Sequence, residues 1–172
     1  MDLYVARGYE QTTVAEIAER AGVTARTFFR YFADKREVLF AGSTALQDAL
    51  VAALEAAPKS ASPMEAVWAA LEAAAMMLGE RHDDSRLRQA VIAANAELQE
   101  RELSKLASLS AALAAGLRRR GVRDPDASLA AAVGIAVFQV AFERWVRGPR
   151  TRTLLRTMRE SYDKAMALVS TT

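Results

Sequence analysis

The sequence predicts an all-α protein, and three observations carry that prediction. Period-2 alternation of apolar and polar residues is almost missing, only 8 Gly and 4 Pro punctuate the chain, and the good helix formers Ala, Leu, Glu and Arg run in long series. Local chemistry then sets each element. "MDLYVARG" makes a first helix of about two turns, apolar at Leu3, Tyr4 and Ala6 and stopped by Gly8. So short a helix is expected to begin upstream of Met1. In "TVAE", Thr13 is an N-cap and Glu16, three residues on, completes a capping box; the second helix runs from there to near Gly22. Thr24 caps a third short helix, and "DKRE", 34–37, reads as another capping box opening a long helix through about Leu54. "AAPKSASP", 56–63, is the clearest linker, its prolines ending one helix and pre-setting the next. Further helices are expected at roughly 64–80, 85–93, 96–119, 126–146 and 151–169, separated by "HDDS", "RRRGVRDPD" and "RGPRT".

Composition excludes several classes of function. The 172 residues, 52% apolar and 26% charged, are enough to bury a core as one domain or two linked units. With no cysteine there are no disulfides and no thiolate metal sites, and no metal or cofactor is expected. The single histidine, His82, lies in the polar break "ERHDDS" and reads as a solvated loop residue. An enzyme is poorly supported, because no nucleophile with its base and no Gly-rich phosphate loop can be assembled. The longest apolar stretch, "LAAAVGIAVFQVAF", has 14 residues and runs into "ERWVR", so a soluble, cytoplasmic protein with no membrane partner is expected.

Net charge is only +2, but its distribution is uneven. Residues 24–36 carry Arg26, Arg30, Lys35 and Arg36 against Asp34 alone, whereas 10–20 carry Glu10, Glu16 and Glu19 against Arg20. A basic segment next to an acidic one suggests orientation toward an anion. At about 100° per residue, Val14, Ile17, Ala18 and Ala21 share one face of the second helix. In the third, Ala25, Phe28 and Phe32 cluster on one side, Arg26, Thr27 and Arg30 on the other, and Phe29 and Tyr31 fall on the borders. Two short amphipathic helices joined at Ala21–Thr24, with Gly22 supplying a positive φ, match a helix-turn-helix whose second helix enters the DNA major groove. The candidate DNA-binding residues are Thr13, Thr24, Ala25, Arg26, Thr27, Phe29, Arg30, Tyr31 and Lys35. Arginine can pair bidentately with guanine, and threonine can meet a thymine methyl. Tyr31, Thr13 and Lys35 are placed to meet phosphates.

The stretch "GYEQTTVAEIAERAGVTARTFFRYFADKREVLF", 8–40, strongly resembles the DNA-binding region of TetR-family transcriptional regulators. The resemblance covers about the first quarter of the chain. It implies an N-terminal three-helix DNA-binding domain with a helix-turn-helix, here 1–43, then a larger helical-bundle domain for ligand binding and dimerisation, here 44–172. The chain departs from the family pattern in two ways. Phe29 stands where a tyrosine commonly contacts phosphate, and the usual longer first helix with its basic arm is absent.

In the larger domain, Leu129, Val133, Ala136 and Val140 recur at helical spacing, with Gly134 and several alanines permitting close helix approach. Leu154, Leu155, Met158, Tyr162, Ala165 and Val169 form a similar stripe on the last helix. The resemblance implies a four-helix interface between two subunits, assigned here to Leu129, Val133, Ala136, Val140, Leu155, Met158, Tyr162 and Val169. A cavity for a small-molecule effector is expected around Trp68, Leu71, Met76, Met77, Asn95, Phe138, Gln139 and Phe142, where adaptable Met and flat rings sit beside a few amides. "RRRG", 118–121, reads as complementing a helix C-terminus. The leading expectation is a dimeric repressor of a palindromic operator on double-stranded DNA, released by a small, mostly apolar ligand. The alternative is a helical small-molecule carrier or adaptor whose helix-turn-helix no longer binds DNA.

Overall fold

The structure is a computed structural model that describes residues 1–169, Val169 by its backbone alone. Those residues form α1 (Asp2–Arg7), α2 (Val14–Arg20), α3 (Ala25–Tyr31), α4 (Lys35–Leu39), α5 (Ser43–Ala56), α6 (Pro63–Gly79), α7 (His82–Ala93), α8 (Ala96–Arg119), α9 (Asp126–Arg147) and α10 (Leu154–Val169), with no strand among them. Side-chain caps set several of these starts. Thr13 and Glu16 close the reciprocal capping box read from the sequence on α2, and Thr24 Oγ1 accepts the Thr27 amide; on α6, where the sequence marked only the proline, Ser62 and Glu65 close a second box with Pro63 in the first turn.

Two helix assignments differ from expectation. The long helix anticipated over 34–54 is broken: α4 stops at Leu39, Phe40–Ser43 close by short i→i−3 turns, and α5 restarts after Gly42 at φ 87°. The capping box expected of "DKRE" is only half made. Asp34 accepts the Arg36 and Glu37 amides, but the Glu37 carboxylate turns away to Arg101 on α8, 2.7 Å off. His82 is the second correction. It opens α7 as a buried residue, its Nε2 3.1 Å from the Trp145 carbonyl and its ring edge-on to that indole, because α9 covers what looked like an open break.

Most of the apolar core joins α5, α6, α8, α9 and α10, through Leu50, Leu54, Val67, Leu71, Leu113, Leu117, Trp145 and Met158 among others. α9 is long and apolar enough to cross a membrane by length and composition, which the 14-residue stretch alone had not suggested, yet nearly half of it is buried against neighbouring helices. Gly134 lets α9 approach α6 so closely that a Cβ there would overlap Val67 Cγ1. Arg120 of the "RRRG" run serves a helix C-terminus, that of α5. Its guanidinium reaches back to the C-terminal end of α5, donating to the carbonyls of Ala57 at 2.8 Å and Pro58 at 2.6 Å, and so satisfies acceptors that a helix end leaves open. Arg120→Met is expected to cost about 1–3 kcal/mol, the penalty for stripping partners from such groups, read as a lowered urea midpoint with unchanged slope.

A second, smaller core docks the N-terminal helices onto the bundle. Tyr4, Tyr9, Leu39 and Phe40 pack with Val91, Ile92 and Leu98 from α7 and α8. Around it, the Tyr4 hydroxyl donates to the Lys35 carbonyl at 2.6 Å, and burial, helped by the charge of Asp34, pushes that phenol up to about 12.

Candidate functional site

The helix-turn-helix is built from short-range geometry. At the end of α2 the Val23 amide donates to the Ala18 carbonyl at 2.9 Å, and Gly22 takes φ 67°, a left-handed conformation that favours glycine. α3 is then anchored from one side. Phe28 is buried, with the rings of Phe29 and Phe32 at 5.5 and 5.3 Å from it. The opposite flank faces outward: Thr24, Arg26, Phe29, Arg30 and Tyr31 are exposed and Thr27 half-buried, and Ala25, expected beside Phe28 on the inner face, is exposed as well because it stands in the first turn, beyond the reach of the core. Arg26 makes no hydrogen bond or ion pair among the described residues. Arg30 is the more organised of the two, donating to the Tyr31 hydroxyl at 2.9 Å and lying over that ring at 4.8 Å. Thr24 and Thr27 hydroxyls meet at 3.0 Å.

Two border aromatics lie well outside the core, Phe29 at 57% exposure and Tyr31 at 68%. Of these two, only Tyr31 carries a hydroxyl. Lys35 departs from its expected role. Its ammonium donates to the carbonyls of Tyr9, Glu10 and Thr12 at 2.8, 3.1 and 3.2 Å and lies 4.4 Å from the Tyr9 ring centre, so it ties the α1–α2 loop to α4 instead of standing free for a phosphate. Thr13 is exposed, but its hydroxyl is engaged with Glu16 in the capping box.

The residues expected around an effector cavity divide. Phe138 and Phe142, stacked 5.8 Å apart, line two cavities, one of about 580 Å³ and one of about 300 Å³. Met77 joins the larger and Gln139 the smaller. Trp68, Leu71, Met76 and Asn95 line neither. Trp68 is occupied by Tyr162 and the Glu72 carboxylate, Leu71 is core, Met76 points to solvent, and the Asn95 amide donates to the Val91 carbonyl at 2.7 Å.

Sequence reasoning missed the charged end of the larger cavity. Arg88 on α7 pairs with Glu102 on α8 at 2.7 Å, and Lys105 lies 3.6 Å from the same carboxylate. Burial alone would raise the Glu102 carboxyl, but the hydrogen bond and charge of Arg88, with those of Lys105, outweigh it and hold the group below the usual carboxylate range. Burial lowers the Lys105 ammonium, and Glu102 offsets that only in part. The same cavity is walled by Val38, Leu39, Ala41, Gly42 and Ser43, the joint between α4 and α5. Arg88 Nε also donates to the Leu39 carbonyl at 2.7 Å.

The proposed pairing surface is clearer on α9 than on α10. Leu129 at 63% and Val140 at 54% exposure, with exposed Ala136 and half-buried Val133, make one outward stripe. On α10, Met158 is fully buried in the chain's own core, which removes it from any surface, while Leu155 and Tyr162 are half-buried against that core. The side chain of Val169 lies outside the described residues.

Residues 1–41 match the family model of bacterial regulatory proteins, tetR family, and residues 61–169 match that of the MftR C-terminal domain. The HTH-type transcriptional regulator TcmR of Streptomyces glaucescens is 45% identical over 73 residues, 42% of this chain. Those residues span only 32% of TcmR, about a third of that relative's length. Among solved structures, the chain is similar to Thermus thermophilus FadR, a TetR-family transcriptional repressor in complex with lauroyl-CoA, with a TM-score of 0.60 at 22% identity over 96% of this chain and 89% of that one. It is also similar to a transcriptional regulator from Rhodococcus sp. Rha1, with a TM-score of 0.56 at 23% identity over 97% and 89% of the two chains. At these identities the two structures share its fold.

Proposed function

Because the chain belongs to the tetR family of bacterial regulatory proteins, and so is a transcriptional regulator, we propose that it acts as a dimeric repressor of a palindromic operator, released by a small, mostly apolar ligand. The observation that carries this reading is the outward flank of α3, where Arg26 and Arg30 stand on a helix held from behind by Phe28. A single short reading helix covers too few bases to be selective, and two-fold pairing doubles the site. The exposed stripe Leu129–Val133–Ala136–Val140 on α9 is the surface assigned to that pairing, with Leu155 and Tyr162 of α10 at its border. The repressor of similar fold that is seen with lauroyl-CoA supports a small-molecule ligand for this chain as well. Release follows if the ligand favours an arrangement of α4 in which two reading helices no longer match successive major grooves. Such a protein works in the cytoplasm, where the DNA is.

A gel-shift against the DNA upstream of its own gene tests this reading. Binding that makes about six phosphate contacts loses on the order of a thousandfold in affinity between roughly 50 and 200 mM salt. A carrier or adaptor with an idle helix-turn-helix gives no shifted band at either concentration, and that result would remove the repressor reading.

A further inference from the structure

We infer that the effector carries an acidic head group, a carboxylate or a phosphate on an apolar body, and that the larger cavity receives this group between Lys105 and Arg88 in competition with Glu102. This rests on the reading of the chain as a ligand-responsive regulator and narrows the ligand's chemistry. The cavity, about 580 Å³, is of a size that holds a small molecule, and most of its wall is apolar, Leu46, Phe138 and Phe142 lining it together with a few charged groups. At the rim Arg81 and Asp84 pair with each other at 3.5 Å and cancel. Deeper in, two cations share one carboxylate, which leaves an excess of one positive charge.

Lys105 holds most of that excess. Its side chain is only 14% exposed, and the nearest carboxylate oxygen, at 3.6 Å, is beyond hydrogen-bond length. An ammonium has three protons to donate, and among the described residues none of them is in a hydrogen bond shorter than this contact. A poorly hydrated cation with donors to spare, at the end of an apolar cavity, attracts an anion and repels a second cation. Glu102 also lines the smaller cavity, so its carboxylate has space on its far side when an incoming acid takes its place. The exchange reaches beyond the cavity through Arg88, which bonds Glu102 and the Leu39 carbonyl with the same guanidinium and lies 5.0 Å from the Phe40 ring centre. An acid that draws Arg88 toward itself therefore loosens the end of α4.

Calorimetric titration of the full chain with decanoate, decyl phosphate and 1-decanol tests the assignment, because the three probes share one tail. At least one acid is expected to bind about tenfold or more tightly than the alcohol, a margin of about 1.4 kcal/mol. Lys105→Met should erase that margin without weakening 1-decanol, and Lys105→Arg should keep it. The acid that shows the margin identifies the head group. Equal affinity for all three probes, no binding by any of them, or a margin that survives Lys105→Met overturns the inference. Should Lys105→Met fail to fold, the acid-to-alcohol ratio of the unaltered chain and of Lys105→Arg still decides it. A gel-shift on the same preparations without probe separates the two readings. Lost DNA binding with an intact acid margin removes the regulator reading alone, whereas intact DNA binding with no margin removes only the cavity assignment.

Discussion

Replacing Arg26 and Arg30 together with alanine is expected to weaken operator binding by on the order of a hundredfold or more, while the fold is untouched. Each arginine that meets a guanine edge carries about 1–3 kcal/mol of discrimination, and the two lie on the same outward flank of α3. Neither supports the core. Among the described residues Arg26 makes no hydrogen bond or ion pair, and Arg30 makes its polar contacts with the exposed Tyr31. Thermal melting of the double variant should therefore stay within about 0.5 kcal/mol of the parent, the usual range for exposed substitutions. Anisotropy titrations with operator and scrambled duplexes separate the two kinds of contact. A base contact relaxes sequence preference when lost, whereas a phosphate contact weakens both duplexes alike and lowers the salt slope by about one. Unchanged affinity for both duplexes would mean that the flank of α3 does not read DNA.

The largest effect on stability is expected from Trp145→Ala. Trp145 is 1% exposed and sits where α9 meets the start of α7 and the turn into α10. Its indole N–H donates to the Arg152 carbonyl at 3.0 Å, which fixes the α9–α10 turn, and its ring packs against Phe142 and His82 at 5.6 and 4.9 Å. Its carbonyl meets His82 Nε2. Truncation to alanine leaves a cavity in a packed core and an acceptor without its donor, for a cost of about 3–5 kcal/mol. Urea unfolding followed by far-UV circular dichroism measures it. Trp145→Phe, which keeps most of the ring and loses the N–H, should fall between the parent and the alanine variant. A loss below about 1 kcal/mol for Trp145→Ala would show that α9 and α10 do not depend on this junction.

What the sequence made legible was local. Thr13 with Glu16 announces its helix because a capping box needs only four consecutive residues, and Pro63 marks the start of α6 in the same local way. Phe28 and Arg26 could be placed on opposite sides of α3 from helical angles alone, and Gly134 signalled a close approach before its partner Val67 was known. What was not legible depends on residues far apart in the chain. The apolar series Leu39, Leu46, Leu50 and Leu54 continues smoothly across Gly42, and an isolated glycine is tolerated in a helix, so the break there had no clear local mark. His82 is buried by Trp145, 63 positions later. Arg88, Glu102 and Lys105 each resemble solvated helix residues; only the packing of α7 on α8 brings their charges to one cavity. Met158 kept the right spacing for an interface and took the other side of its helix, since periodicity names a face without saying what covers it.

Phe40 sits in the interrupted stretch between α4 and α5, with the guanidinium groups of Arg88 and Arg101 each 5.0 Å from its ring centre. A continuous rod would pass torque from the bundle to the reading head. Here the winding of one segment stops before the other begins, so torque has no continuous backbone to follow. The path from the bundle to α4 runs instead through the ring of Phe40 and the two cations set against it, and a change in how either cation sits is expected to alter the mutual tilt of the two segments.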